Sequence, residues 1–402
     1  MTDRDRSSMP PPAPPSMSRL LTLAMAVASG LAVANIYYNQ PMLGIIERQF
    51  PGTAVTGMIP TATQVGYAAG LLMLVPLGDL IERRRLIVVQ FLFLAVALVC
   101  VALAPTAGSV VAASILVGIC STAAQQIVPM AALLSSPEKR GATIGFVMGG
   151  LLCGILLSRT LAGFVAVYWG WRAMFWLSVP LALFGAGLMA ATLPHSQPRT
   201  GLSYRALLKS IASLWRHEPT LRRATMTQAA IFGSFTTFWT ILSLRLEAPD
   251  LHMGANIAGL FGIVGAIGVF AAPIAGRLAD QYGPRAVVGL GAFVTLLSWF
   301  MFSVWNGLPG LVAGVILLDL GVQSALVSNQ HVIYALHPEA RGRLNTIFMT
   351  GVFVGGSIGS AGATLAWKWG GWLPVCAFGA VLAVMALALQ AGARKPRLLP
   401  GS

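Results

Sequence analysis

Apolar runs of about 20 residues, each long enough to cross the ~30 Å hydrocarbon layer of a bilayer, recur from Leu20 to Leu389, broken by short clusters of charge, proline and glycine. Read between those breaks, the pattern predicts helices near 19–46, 55–78, 86–104, 109–134, 142–167, 173–193, 223–245, 255–278, 286–304, 309–336, 343–366 and 371–391, twelve in all. The longest polar segment, 194–222, holds Pro194, Pro198, Gly201 and Pro219 around an amphipathic stretch whose Arg205 and Lys209 suit anionic headgroups. It reads as a cytosolic linker between two bundles of six helices, residues 19–193 and 223–391. Residues 1–18, rich in proline and serine, predict a disordered cytosolic tail, and 392–402 a second one. The first run lacks a small-residue cleavage site and continues into the polar stretch Asn35–Pro41, so it reads as a retained span with Pro41 breaking the helix.

Composition sharpens this picture. Hydrophobic residues make up 56% of the 402, and charged residues only 9%, against roughly a quarter in soluble domains. That excludes an ordinary soluble enzyme and leaves an all-α membrane protein. A net charge of +14 suggests nucleic acid in a soluble chain, but 21 of the 26 basic residues fall in alternate inter-helix segments and the tails. The positive-inside rule then sets both termini in the cytosol, with membrane lipids as the partner and no role for nucleic acid. The outer loops hold only Arg48, Arg172, Arg245 and Lys368. Four cysteines, Cys100, Cys120, Cys153 and Cys376, all lie in apolar runs without metal-ligand spacing and read as packing residues. No metal or cofactor is expected. Gly355–Gly359 fits the G-x-S-x-G pattern but without the strand that motif needs, and no phosphate loop or H-E-x-x-H occurs, so no enzyme is indicated.

A fixed offset of 201 relates the halves: Asp79 to Asp280, Arg84 to Arg285, Pro137 to Pro338, Glu138 to Glu339, Arg140 to Arg341, Gly154 to Gly355, and Trp171 to Trp372. With six helices per repeat, both copies share one orientation, which is the parallel-repeat plan of a carrier whose site lies between the halves.

The residues Gly276-Arg277-Leu278-Ala279-Asp280-Gln281-Tyr282-Gly283-Pro284-Arg285 resemble the loop signature of the major facilitator superfamily, and Val75–Arg85 looks like a degraded copy that keeps Asp79 and the basic run. Pro137–Gly141 and Pro338–Gly342 are similar to that family's second loop signature. The resemblance spans residues 19–391 and implies the major facilitator fold, alternating access and a monomer. It implies gating by Asp79, Arg83, Arg84, Arg140, Asp280, Arg285 and Arg341, because an aspartate beside arginines at a helix end can join and release the cytosolic faces of the halves. Ala34–Pro41 and Gly150–Thr160 resemble a branch of bacterial inner-membrane carriers associated with efflux. The sequence departs from drug:proton antiporters in lacking an arginine along Ser114–Gly118 and a proline after Gly154.

Few charges lie inside the spans. Asp319, ten residues after Pro309, falls near the midplane at 1.5 Å per residue and is the only acidic residue within the predicted helices. It must face a cavity, find a cation or hold a proton, which suits a proton-coupling site or, equally, a protonated helix-helix hydrogen bond. Arg159 falls in the outer third of the bilayer, there to pair with Asp319, bind an anion or snorkel outward. Asn35, Tyr37, Tyr38, Asn39 and Gln40, with Trp239 at the position equivalent to Tyr38, suit a cavity for a neutral or amphipathic ligand, or else an interfacial aromatic belt. Gln64, Gln125, Gln126, Gln323 and Asn329 are further cavity candidates. Gly259, Gly262, Gly265 and Gly268 form a stripe suited to close helix packing.

Together these features predict a secondary active transporter of a small organic solute, a multi-pass protein of the bacterial inner membrane that exchanges protons and exports a drug or metabolite. A proton-coupled importer, an uncoupled facilitator and a non-transporting receptor or scaffold remain as alternatives.

Overall fold

The computed structural model describes residues 18–51, 55–136, 138–195, 203–265, 271–337 and 340–392, with the side chains of 271–273 excepted. Residues 1–17 and 393–402 of the predicted tails, Pro137, Pro338, Glu339 and Gly268 lie outside the described residues, as do 196–202 of the linker.

The first bundle contains α1 (Arg19–Ala34), α2 (Asn39–Gln49), α3 (Ile59–Met73), α4 (Arg83–Leu103), α5 (Ala107–Ser121), α6 (Ala124–Leu134), α7 (Arg140–Trp169) and α8 (Trp171–Thr192). A surface helix, α9 (Tyr204–His217), follows. The second bundle contains α10 (Pro219–Leu246), α11 (Ala255–Gly265), α12 (Ala271–Tyr282), α13 (Pro284–Val304), α14 (Leu308–Tyr334), α15 (Arg341–Gly370) and α16 (Trp372–Ala391). Pairs α1/α2 and α5/α6 each make one span with a turn inside it, and α11 and α12 are the described parts of the eighth. Among the described residues eleven spans are long and apolar enough to cross a membrane, and α11 is a shorter apolar helix.

Local chemistry sets the boundaries. Ser18 caps α1 by accepting the Leu21 N–H at 3.1 Å, and Thr106 and Ser109 form a reciprocal capping box at α5. Gly170 and Gly371, at φ 82° and 72°, end α7 and α15 and start α8 and α16 in a backbone region that side chains disfavour. The first span differs from its prediction. Asn35 donates back to the Leu31 and Ala32 carbonyls at 2.7 and 3.2 Å, turning the chain. Pro41 then lies in the first turn of α2, where a missing N–H costs nothing. It therefore starts a helix rather than ending one, and the span runs on to Gln49, with Glu47 in its last turn.

The repeat is structural as well as sequential. Helices α4 and α13, α5 and α14, α7 and α15, and α8 and α16 begin 201 residues apart. In each bundle glycines bring two helix backbones together: a Cβ on Gly154 would stand 2.4 Å from the Gly30 carbonyl oxygen, and one on Gly355 2.2 Å from that of Ala229. Each bundle has its own apolar core, centred on Phe91, Leu98 and Met174 in the first and on Phe238, Trp299 and Phe302 in the second. Lipid-facing positions keep large apolar side chains exposed, among them Phe93, Leu157, Phe300 and Leu365.

One end of the molecule carries Arg83–Arg85, Arg140, Arg285 and Arg341 and is called the basic face below; the far face carries Arg48 and Glu247. Helix α9 lies along the basic face, burying Leu207 and Ile211. Its Tyr204 hydroxyl donates to the Met73 carbonyl of the first bundle at 3.0 Å, and its Ser210 accepts from Arg343 of the second.

Candidate functional site

The bundles meet toward the far face. Thr61 of α3 bonds Ser360 of α15 at 2.9 Å, and one turn outward the Thr364 hydroxyl donates to the Gly57 carbonyl, also at 2.9 Å. Ser243 of α10 donates to the Pro41 carbonyl at 3.0 Å, and Thr160 of α7 to the Gly259 carbonyl at 2.9 Å. Nearest the surface, Arg48 forms an ion pair with Glu247. Burial raises the Glu247 carboxyl above the usual glutamate range, against the opposing pull of Arg48. Deeper in, the Tyr67 and Phe353 rings touch across the bundles with centroids 4.3 Å apart. Toward the basic face, Gly141 and Gly145 of α7 have open space beside them.

Arg159 and Asp319 sit just inside this closure. Arg159 lies ten residues before the far-face end of α7, and Asp319 eleven after that of α14, so both are about 15 Å deep. Because α7 is longer than its predicted span, Arg159 is level with Asp319 rather than displaced outward. Both are buried, at 2% and 5% exposure, so Arg159 does not snorkel.

Arg159 is held by aromatic rings from both bundles. Its guanidinium carbon lies 3.8 Å from the ring centre of Trp239 on α10 and 4.6 Å from that of Tyr37 in the α1–α2 turn. Its Nε donates to Gln40 at 3.0 Å, while Nη2 is buried without a hydrogen-bond partner among the described residues. Asp319 Oδ2 and Trp239 Nε1 are likewise buried and unpartnered. A Cβ placed on Gly265 of α11 would stand 3.3 Å from both Asp319 Oδ2 and the Trp239 ring, and one on Gly262 3.1 Å from Arg159 Cβ. Gly262 and Gly265 of α11 thus let this helix lie against both residues, Gly262 beside the Arg159 stem and Gly265 beside the Asp319 carboxylate. No ion pair joins them, although each lies within electrostatic reach of the other.

Other cavity candidates divide. Gln64 of α3 faces α15 near Gly356, with its Oε1 unpartnered, and Gln323 is half-buried on α14. Tyr38 turns away, toward Ser178 inside the first bundle, and Asn35 spends its amide hydrogens on its own helix. Gln126 donates to Gln90 at 2.7 Å and Gln125 to the Tyr67 hydroxyl at 3.2 Å, both within the first bundle. Asn329 donates to Gln228 at 3.1 Å and lines a separate cleft at the basic end of the second bundle with Arg223, Arg285 and Gln390. Asn35, Tyr38 and Gln126 thus make their contacts inside the first bundle, Asn329 inside the second, and Gln125 adjoins the interface only through Tyr67.

The gating candidates form local contacts. Arg83 pairs with Asp79 four residues back at 2.6 Å and donates to the Gly78 carbonyl. Arg84 ties α4 to the Ala190 carbonyl and His195. Arg140, Asp280, Arg285 and Arg341 are exposed. Of the two tyrosines read as cavity groups in the first span, Tyr37 faces the interface and Tyr38 does not, since a broken helix carries no single phase. The Arg48–Glu247 pair was missed in the sequence because loop charges were read only for topology.

A family profile described as Major Facilitator Superfamily matches residues 25–271 and 224–400. The uncharacterized transporter YgaY of Escherichia coli O157:H7 is 42% identical over 376 residues, covering 92% of this chain and 95% of its own. SCO4007 of Streptomyces coelicolor, named a probable transporter, is 32% identical over 90% of this chain and 84% of its own. Among solved structures, the xylose transporter XylE of E. coli, in a partially occluded inward-open conformation, superposes with a TM-score of 0.70 at 16% identity, over 92% of this chain and 96% of that one.

Proposed function

The chain is a membrane transporter belonging to the major facilitator superfamily, and from that premise we propose that it works as a proton-coupled exporter of a small organic solute, with Asp319 as the proton carrier. The observation that carries this reading is the position of Asp319: buried, at the junction of the bundles, with Oδ2 unpartnered. A carboxylate held ionised at that depth costs several kcal/mol, so the group gains by taking up a proton whenever the cavity admits one. Alternating exposure to the two faces turns that uptake and release into coupling.

The contacts near the far face support a state closed on that side, with Arg48–Glu247 as its outermost latch. In that state Arg140, Asp280, Arg285 and Arg341 of the basic face are exposed, and with Asp79 they would bridge the bundles when the far face opens. The positive-inside rule supports a cytosolic basic face and cytosolic termini, and the likeness to Escherichia coli YgaY supports the inner membrane of a bacterium. The protein acts as a monomer, since one chain holds both bundles and the site between them.

The test is an untargeted comparison of small molecules in cells expressing the protein and cells expressing Asp319→Asn, with and without a protonophore. Export requires that some compounds are depleted only with Asp319 intact and the gradient present. Equal depletion by Asp319→Asn ends the coupling role, accumulation makes the protein an importer, and no change in any condition favours the receptor or scaffold.

A further inference from the structure

Three neighbouring residues at the junction of the bundles each keep a buried polar atom without a partner among the described residues: Arg159 Nη2 and Trp239 Nε1, both donors, and Asp319 Oδ2, an acceptor. Leaving two opposite charges desolvated and apart is unfavourable unless something joins them. We propose that these three groups bind a small zwitterion when the bundles part, with its carboxylate on Arg159 and Trp239 and its ammonium on Asp319. An amino acid with an apolar side chain has this charge pattern. The assignment rests on the transporter reading for its role as cargo, though not for binding itself.

Charge balance argues for a zwitterion over either ion alone. One arginine and one aspartate make the site neutral. A monocation on Asp319 would leave Arg159 uncompensated, and a monoanion on Arg159 would leave Asp319 so, each in a water-poor interior. The geometry separates the two ends. Arg159 belongs to the first bundle and Asp319 to the second, and Trp239 adjoins both: its ring centre is 3.8 Å from the guanidinium carbon, and its ring edge and Asp319 Oδ2 would each stand 3.3 Å from a Cβ on Gly265. Beyond the charges the wall is aromatic: Phe235 lies 5.9 Å from Trp239 and stacks on Phe232 at 5.5 Å, centre to centre. That surface suits an apolar side chain. A ligand ammonium and a proton cannot both occupy Asp319 Oδ2, so binding of one releases the other, which is the exchange that antiport requires.

The experiment measures thermal stabilisation of the purified full-length protein by L-leucine and L-phenylalanine, by their methyl esters, which lack the carboxylate, and by their N-acetyl derivatives, which lack the ammonium. Both amino acids should stabilise the protein, with each blocked form at least about tenfold weaker. The variants should exchange preferences: Arg159→Gln should accept the esters, and Asp319→Asn the N-acetyl compounds. Gly265→Ala keeps both charges but sets a methyl 3.3 Å from Asp319 and Trp239, and should weaken the amino acids without changing the order of preference. Esters or N-acetyl compounds binding the wild type as tightly as the parents would overturn the proposal, as would no stabilisation by any of them. In that last case, solute depletion in cells that still depends on Asp319 and the gradient would leave the transporter reading standing and remove only the zwitterion. Binding with the expected pattern but no flux would do the reverse.

Discussion

The two bundles share a repeat, yet at the depth of the site they exchange what is large for what is small. In the first bundle α3 carries Gln64 and α5 carries Gly118; 201 residues on, α11 carries Gly265 and α14 carries Asp319. Gly118 lets α5 lie directly on α3, where a Cβ would stand 2.2 Å from the Thr63 carbonyl oxygen and 2.7 Å from the Tyr67 nitrogen. At Gly265 the corresponding space is bounded by side chains, Asp319 and Trp239, each 3.3 Å from such a Cβ. The same swap occurs one helix pair over, where Arg159 of α7 corresponds to Ser360 of α15, which is occupied in hydrogen bonds to Thr61 and Thr240. One bundle thus contributes the basic charge and the other the acidic one. Departures from a repeat mark the positions at which chemistry has been added to a shared scaffold.

Removing the acidic departure should have the largest effect. Asp319→Asn should lower gradient-driven solute flux by roughly 100-fold, the scale at which a positioned proton-transfer group contributes, while leaving the protein folded, as read by flux in cells or vesicles and by size-exclusion chromatography. Next comes the packing side of the comparison. Gly118→Ala drives a methyl into backbone that cannot yield, and should cost about 1–3 kcal/mol of stability. Gly265→Ala meets a carboxylate and a ring edge that need give only slightly, and should cost under about 1.5 kcal/mol, so thermal unfolding of the pair separates a packing glycine from a cavity glycine.

The smallest effect is the pH response of the far-face latch. Burial favours the protonated form of Glu247 in the closed state relative to one in which it is exposed. Closure at that face should therefore strengthen as pH falls through the raised value and weaken as pH rises through it. A cysteine at Thr61, within the closed seam, should become less accessible to maleimide on acidification, judged at each pH against the same cysteine with Glu247→Gln, where this dependence should shrink.

The scaffold was legible because spans and repeat rest on local pattern. Apolar length gave the helices, and the 201 offset reappears as the starts of α7 and α15. Asp319 and Arg159 stood out because charge is rare in such helices, and both lie at the bundle interface. Trp239 followed from equivalence to Tyr38, but that equivalence misled for Tyr38 itself, which turns inward because the Asn35–Tyr38 turn rotates the chain between α1 and α2. Gln125, Gln126 and Asn329 were read as cavity groups, whereas amides in apolar helices are as readily consumed joining neighbours. The members of the cage around Arg159 were each legible as cavity groups, but not their meeting, since it joins Tyr37, Gln40 and Trp239 over some two hundred positions, a proximity that only packing of the bundles creates.

The most direct measurement uses vesicles of purified protein, loaded with a pH-sensitive dye and given a gradient of the solute that expressing cells lose fastest. The lumen should change pH as solute moves, in the direction opposite to solute-proton symport, and Asp319→Asn should abolish that change. Solute movement at equal rates in both proteins with no luminal pH change would contradict the account.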